Sequence, residues 1–126
     1  MTCLASSPRM VVVASSAFDT HEISKRDLRR LYLGYLSFYG GRRVRLTQLS
    51  GQNLEIFLKE YLNVGLKDYQ GRWWSKVFSG KADFPRSFKV PEELALFIRG
   101  HDRSLGFLPY ELAIGEEGLR VITVCP

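Results

Sequence analysis

The sequence predicts a small α/β domain in which helices pack against a mixed β-sheet. Runs of β-branched residues lie near both ends of the chain, at residues 10–14 and 119–124, as in buried strands. Between these runs, apolar residues recur at helical spacing, most clearly at Leu54, Phe57, Leu58, Tyr61 and Leu62. The resulting order, β-α-β-α-α-α-β-β, favours helices flanking one sheet.

Length and composition indicate one folded domain. The chain has 126 residues, of which 45% are hydrophobic and 25% are charged. We expect a loose N-terminal tail over residues 1–9 and a single domain over residues 10–126. The formal net charge of +5 favours anionic partners such as phosphate, nucleic acid or an acidic protein. No segment approaches the roughly 20 apolar residues of a transmembrane helix, and the N-terminus does not resemble a signal peptide.

The first predicted strand, residues 10–14, is followed by a loop over residues 15–22. Ser24 is a favourable N-cap for the first helix, with Asp27 three residues later as in a capping box. Gly34 supplies the C-terminal stop. The apolar face of this helix is expected to consist of Leu28, Leu31 and Tyr32.

The next strand follows a tight turn predicted at Gly40 and Gly41. Apolar and polar residues alternate in it, which is the pattern of a strand with one exposed face. Its inward residues are expected to be Val44, Leu46 and Gln48. Its outward residues are expected to be Arg43, Arg45 and Thr47.

The second helix ends at residues 63–65, and a third helix ends at Gly80, before a loop over residues 81–89. The inward residues of the third helix are expected to be Tyr69, Trp73, Val77 and Phe78. Pro91 suits the first turn of a fourth helix. A short strand is expected at residues 105–108, before the final strand.

The most informative segment for function is the turn Ser50-Gly51-Gln52-Asn53, which lies where a strand meets the second helix. A helix N-terminus presents unpaired N–H groups and the positive end of the helix dipole. Glycine allows a ligand to approach the backbone closely. The turn is therefore a candidate anion site. The alternative is that Ser50 and Asn53 only cap the helix.

Two arginines near this turn are further candidate ligand-binding residues. Arg43 and Arg45 share one face of the preceding strand, because alternate residues point the same way. They could neutralise an anion or contact an acidic partner. The alternative is a solubilising hairpin with no specific role.

Cysteine and tryptophan positions leave questions open. Cys3 and Cys125 lie near opposite ends of the chain, and their spacing does not decide between a disulfide and two free thiols. Trp73 and Trp74 are about 100° apart on a helix, so one is expected in the core and the other at an exposed edge or interface. No nucleophile elbow, Walker loop or metal-binding spacing is present. We therefore expect no enzyme activity, no catalytic residue, no metal and no cofactor.

Several segments, in order, resemble the phosphate-type substrate-binding proteins of ABC transporters. Residues 27–34, DLRRLYLG, resemble the family's L…IFLG segment. The glycine turn and strand over residues 40–46 follow as they do in the family, and the Ser50–Asn53 turn takes the place of its anion-binding turn. Residues 73–81, WWSKVFSGK, resemble the W…IFTGK element, and residues 104–109, SLGFLP, resemble the AIGYV strand.

This resemblance implies a single three-layer-like lobe of the type 2 periplasmic-binding-protein fold, a mixed sheet with flanking helices. Full members clamp an oxyanion between two lobes, and this chain is long enough for about one. The resemblance implies phosphate as the ligand of the Ser50 turn, a periplasmic location and a link to ABC transport. The family's turn is typically Gly-Ser-Gly-Thr, and Gln52 and Asn53 here leave fewer hydroxyl groups.

The leading hypothesis is a non-enzymatic binding domain with weak oxyanion binding at the Ser50–Asn53 turn, which a second copy in a homodimer could complete. The first alternative is a protein-interaction module that has the same fold but no ligand. The second alternative is a basic nucleic-acid-binding domain. The positive charge supports it, while the lack of any RNA- or DNA-binding motif opposes it.

Overall fold

A computed structural model describes residues 9–18, 20–81, 83–115 and 117–125. The strands are β1 (Met10–Ser15), β2 (Glu22–Ser24), β3 (Phe38–Tyr39), β4 (Arg42–Arg43), β5 (Arg45–Leu49), β6 (Arg86–Phe88), β7 (Ser104–Pro109) and β8 (Leu119–Cys125). The helices are α1 (Lys25–Tyr32), α2 (Gln52–Phe57), α3 (Leu66–Phe78), α4 (Pro91–Gly100) and α5 (Tyr110–Ala113). A π-helical segment, Leu58–Leu62, continues α2 directly. The choice between a Cys3–Cys125 disulfide and two free thiols stays open here, because Cys3 lies outside the described residues.

The main sheet is mixed, with the strand order β2-β8-β1-β7-β5-β6. β1 runs antiparallel to both of its neighbours, β7 and β8. β5 runs parallel to β6 on one side and to β7 on the other. β3 and β4 form a separate hairpin, whose turn residues Gly40 and Gly41 have positive φ angles of 62° and 79°. Glycine adopts such angles without steric cost, which explains the turn predicted there.

Helices cover both faces of this sheet. Successive residues of a strand point to opposite faces. On β7, Gly106 faces α4, where Leu94 and Ile98 approach it, whereas Phe107 stacks on Phe57 of α2 with ring centroids 3.9 Å apart. The domain therefore has three layers, with α4 on one face and α1 and α2 on the other. This confirms the predicted α/β lobe.

The first helix begins as the sequence predicts. The N–H of Asp27 donates a hydrogen bond of 3.0 Å to the Ser24 hydroxyl, which is the N-cap interaction. Leu28, Leu31 and Tyr32 are all buried. The predicted apolar stripe of the second helix is also confirmed, because all five of its residues are buried across α2 and the π-helical segment.

Two short strands were not predicted: β2 begins at the last residue of the loop predicted over residues 15–22, and β6 lies within the loop predicted over residues 81–89. β2 and β6 have three residues each and pair in parallel with β8 and β5. Segments this short carry no recognisable alternation, and their partners lie far away in the chain. The helix α5 was not predicted either, because its four residues are too few to show a helical period.

Two predicted orientations are wrong. Thr47, expected outward, is fully buried because α4 covers that face of β5, and its hydroxyl donates a 2.9 Å hydrogen bond to the Leu105 carbonyl. Phe78, expected inward, is 80% exposed. The 3.6-residue helical period places Phe78 above Trp74, four residues earlier, rather than above the buried Trp73.

Candidate functional site

The Ser50–Asn53 turn lies at the carboxyl edge of the parallel strands. β5 ends at Leu49, and the Ser50 N–H then donates a 2.9 Å hydrogen bond to the Phe88 carbonyl at the end of β6. This bond attaches the start of the turn to the sheet. Gly51 follows with φ 74° and ψ −144°, a conformation that is essentially restricted to glycine.

Gly51 is the N-cap of α2, and no side chain caps this helix. The interpretation that Ser50 and Asn53 serve as capping side chains is therefore wrong. The Gly51 carbonyl accepts from the N–H groups of Leu54 and Glu55, at 3.1 and 3.3 Å. The N–H groups of Gln52 and Asn53 precede the first possible intrahelical acceptor, so they have no carbonyl partner within the helix.

The surface above the turn is open. A Cβ atom added at Gly51 would meet no other atom within 4 Å. Gly51 and Gln52 are exposed, while Ser50 and Asn53 are half-buried. Glu55 lies in the first turn of α2, where its exposed carboxylate opposes anion binding across solvent. The turn therefore offers donors to an anion without strong assistance from nearby charge.

Buried tyrosines hold the strand that leads to the turn. The Tyr32 hydroxyl donates a 2.9 Å hydrogen bond to the Thr47 carbonyl, and the Tyr69 hydroxyl donates one of 2.6 Å to Gln48 Oε1. Burial raises the pKa of both tyrosines above the ordinary value. Both phenols therefore remain protonated donors at neutral pH, and the end of β5 is fixed from the helical layer.

The structure separates the two groups of predicted site residues. Arg43 is in β4 and Arg45 is the first residue of β5, so both lie at its amino end. Ser50 follows its carboxyl end, roughly 17 Å away at about 3.3 Å per residue. The arginines are thus too far away to share one phosphate with the turn.

Arg43 and Arg45 instead line a cleft of about 730 Å³ at the amino edge of the parallel strands. We call this the arginine cleft; its arginines are Arg42, Arg43, Arg45, Arg86 and Arg103. The sequence shows Arg42, Arg43 and Arg45 as one basic cluster. It gives no sign that Arg86 and Arg103, which lie 40 to 60 residues later, would join them.

Beside the cleft lies an exposed aromatic cluster, formed by Trp74, Phe78 and Phe84. These side chains are 51%, 80% and 42% exposed. Trp74 stacks on Phe78 with centroids 5.2 Å apart and meets Phe84 edge-on at 5.0 Å. Trp73 is buried and donates its Nε1–H to the Tyr32 carbonyl at 2.8 Å. This confirms that one of the two tryptophans belongs to the core and the other to the surface.

Comparison with known proteins shows what this fold resembles. No protein-family model matches the chain, and no curated protein sequence matches it. Solved structures do match. PstS from Borrelia burgdorferi has a TM-score of 0.72 at 14% identity, with 92% of this chain covered and 47% of the other. An ABC-type phosphate transport receptor from Vibrio cholerae has a TM-score of 0.61 at 10% identity, with 91% and 45% covered.

A third match is a structure from Clostridium perfringens with bound phosphate, of a protein assigned to the substrate-binding proteins of phosphate ABC transporters. Its TM-score is 0.68 at 5% identity, with 91% of this chain and 44% of the other covered. This chain spans less than half the length of each of these proteins. The fold is therefore that of one part of a phosphate-type substrate-binding protein, as the sequence resemblance implies.

Within the described residues, every helix is too short or too polar to cross a lipid bilayer.

Proposed function

We propose that this chain is a non-enzymatic binding domain of the phosphate-type solute-binding class, which binds an oxyanion at the Ser50–Asn53 turn. The observation that carries the proposal is the N-terminus of α2. In a fold shared with phosphate-binding proteins, a glycine-capped helix starts at the carboxyl edge of parallel β5 and β6. This is the edge at which α/β proteins bind ligands.

The contacts available at the turn support weak binding. The donors that the turn can offer to an anion are the amides of Gln52 and Asn53, which have no acceptor within the helix, and the Ser50 hydroxyl. A single surface of this kind supports a dissociation constant of about 1 mM, a free energy of about 4 kcal/mol. Tighter binding needs donors from an opposing surface, which a second copy in a homodimer or another protein partner would supply. The fold likeness also supports a role related to ABC transport in the periplasm.

Calorimetric titration with phosphate and sulfate tests this proposal. Gly51→Ala is the informative variant, because a non-glycine residue at its positive φ costs about 1–3 kcal/mol and reorients the first amides of α2. Gly80→Ala is a matched control. Gly80 has the same φ of 74° and equally open surroundings, but it lies beyond the end of α3.

We expect Gly51→Ala, and the double variant Ser50→Ala with Asn53→Ala, to abolish the measured heat of phosphate binding. Gly80→Ala is expected to retain it. Absence of any saturable heat with the unmodified protein would contradict the proposal, as would an equal loss in both glycine variants.

A second candidate function is supported by the exposed aromatic cluster. Exposed tryptophan and phenylalanine side chains in contact with each other are typical of protein interfaces. In this version the domain uses the fold to bind another protein and has no solute ligand. When the partner is a second copy of this chain, analytical ultracentrifugation would show a concentration-dependent association that a Trp74→Ala and Phe78→Ser double variant loses, and phosphate would give no saturable heat.

A further inference from the structure

The arginine cleft lies on the opposite edge of the sheet from the proposed oxyanion turn. Its lining comes from the segment after α1, the hairpin β3–β4, the start of β5, Trp73 of α3, the segment before β6 and the end of α4 with the residues that follow it. Its volume of about 730 Å³ falls within the range of small-molecule sites, about 300–1,000 Å³.

Four arginines of this cleft have no ion-pair partner among the described residues. Arg42, Arg43, Arg45 and Arg86 are all exposed, and no carboxylate of the described residues lies within ion-pairing distance of them. Two aspartates, Asp83 and Asp102, also line the cleft, but they leave an excess of arginine. Cations gathered around a concave surface raise its positive potential and attract multiply charged anions.

The backbone that carries these arginines is fixed from below by Arg103. Arg103 is only 5% exposed, and its Nη2 donates hydrogen bonds to the carbonyls of Tyr39 and Arg42, the latter at 3.2 Å. The Arg103 carbonyl accepts the N–H of Arg45 at 2.9 Å. The hairpin and the start of β5 are thereby held beside each other, so the positions of Arg42, Arg43 and Arg45 are determined by the fold.

Aromatic rings complete the cleft. The Arg86 guanidinium lies 5.0 Å from the ring centroid of Phe97, a cation–π arrangement that orients it. Phe84 borders the cleft with a partly exposed ring, braced edge-on by Trp74 at 5.0 Å. A planar apolar surface beside several guanidinium groups suits a ligand that combines a flat ring with phosphate groups.

We infer that the arginine cleft is a second ligand site, which binds a multiply charged phosphate ester carrying a planar ring, of the nucleoside polyphosphate type. Arg43, Arg45 and Arg86 contact the phosphates, and Phe84 packs against the ring. Guanidinium groups bind phosphate oxygens with two parallel hydrogen bonds, which a single ammonium group cannot do. This inference does not depend on the oxyanion turn, because the two sites lie at opposite ends of β5.

Calorimetric titration with ATP, tripolyphosphate and adenosine tests the inference. ATP is expected to bind with one-to-one stoichiometry, tripolyphosphate more weakly, and adenosine not at all at the same concentration. Arg43→Ala combined with Arg45→Ala is expected to weaken ATP binding at least about a hundredfold, since it removes two charge-assisted hydrogen bonds of about 1.5–3 kcal/mol each.

Two variants control for net charge and for the ring. Lys25→Ala with Arg26→Ala removes two exposed charges from the start of α1, neither of which lines the cleft, and is expected to change the ATP affinity less than about threefold. Phe84→Leu keeps an apolar side chain but removes the ring. It is expected to weaken ATP binding and leave tripolyphosphate binding unchanged.

Failure of ATP to bind at low ionic strength would overturn the inference. An equal loss of affinity in the Lys25 and Arg26 control would also overturn it, since binding would then follow net charge alone. Oligothymidylate binding that strengthens with strand length would also overturn the inference, since it would indicate a nucleic-acid-binding surface rather than a small-ligand site. Gly51→Ala is expected to leave ATP binding intact, so failure at the oxyanion turn and failure at the cleft can be distinguished.

Discussion

Gly106 lies in the middle of β7, where the three layers of the domain meet. A Cβ atom added there would lie 2.2 Å from Thr47 Oγ1, 2.9 Å from Ile98 Cδ1 and 3.1 Å from Leu94 Cδ2. The Thr47 hydroxyl could rotate away only by giving up its hydrogen bond to the Leu105 carbonyl. The two apolar atoms are side-chain ends of Leu94 and Ile98 on α4, and because both side chains are fully buried they can yield only by a rotamer change or by a shift of the helix.

These contacts set the expected cost of Gly106→Ala. Overpacking of a filled core costs about 1–3 kcal/mol, and loss of one buried hydrogen bond costs about 1 kcal/mol more. The free energy of unfolding should therefore fall by about 2–4 kcal/mol. For 126 residues, an unfolding entropy of about 2.1 cal/mol/K per residue converts this to a melting temperature lower by about 8–15 °C.

Urea unfolding followed by circular dichroism measures this change, and Gly71→Ala is the control. Gly71 is exposed within α3, and an added Cβ there would meet nothing within 4 Å. Alanine at that position should raise the free energy of unfolding by about 0.5–1 kcal/mol, because it favours the helix. If the free energy of unfolding of Gly106→Ala lies within about 0.5 kcal/mol of that of the unmodified protein, the packing of α4 against β7 described above is wrong.

Two further predictions concern the N-cap of α1 and the buried hydroxyl of Tyr61. Ser24→Ala should lower the free energy of unfolding by about 1 kcal/mol, because Asp27 loses its N-cap acceptor; Ser24→Asp, which restores an acceptor, should recover the loss in thermal melts. Burial, together with the neighbouring Glu60, raises the pKa of Tyr61 to about 12, and its hydroxyl donates to the Met10 carbonyl at 2.5 Å. The Tyr61 hydroxyl has a higher pKa in the folded protein than in the unfolded chain. Its contribution to the free energy of unfolding is therefore complete below about pH 10 and is lost as the pH rises towards about 12, by up to about 1.4 kcal/mol per pH unit. Tyr61→Phe should show a shallower loss of unfolding free energy over this range, and an identical slope would show that Tyr61 is not the titrating group.

Most of the layer structure could be predicted because its signals are local. The cap at Ser24, the stop at Gly34 and the stripe along the second helix depend on residues within a few positions of each other, and each prediction is confirmed. β2 and β6 depend on partners far along the chain, and three residues are too few for a periodic pattern. The burial of Thr47 could not be predicted either, because it requires knowing that α4 covers the face to which its side chain points.

The candidate site was harder to predict than the fold. Arg43, Arg45 and Ser50 are close in sequence, which led us to group them, but an extended strand places its ends far apart. Arg45 is close in space to Arg103 and Arg86 instead. Arginines that are 40 to 60 residues apart in the chain meet in this cleft because of the strand order, which the sequence alone does not specify.

Oxyanion binding at the N-terminus of α2 is the claim that a phosphate titration followed by ¹H–¹⁵N correlation spectra would test. Phosphate should cause saturable shifts of the amide signals of Gly51, Gln52 and Asn53, with small changes at Arg43 and Arg45. No saturable shift in this turn, or shifts confined to the arginine cleft, would contradict the claim.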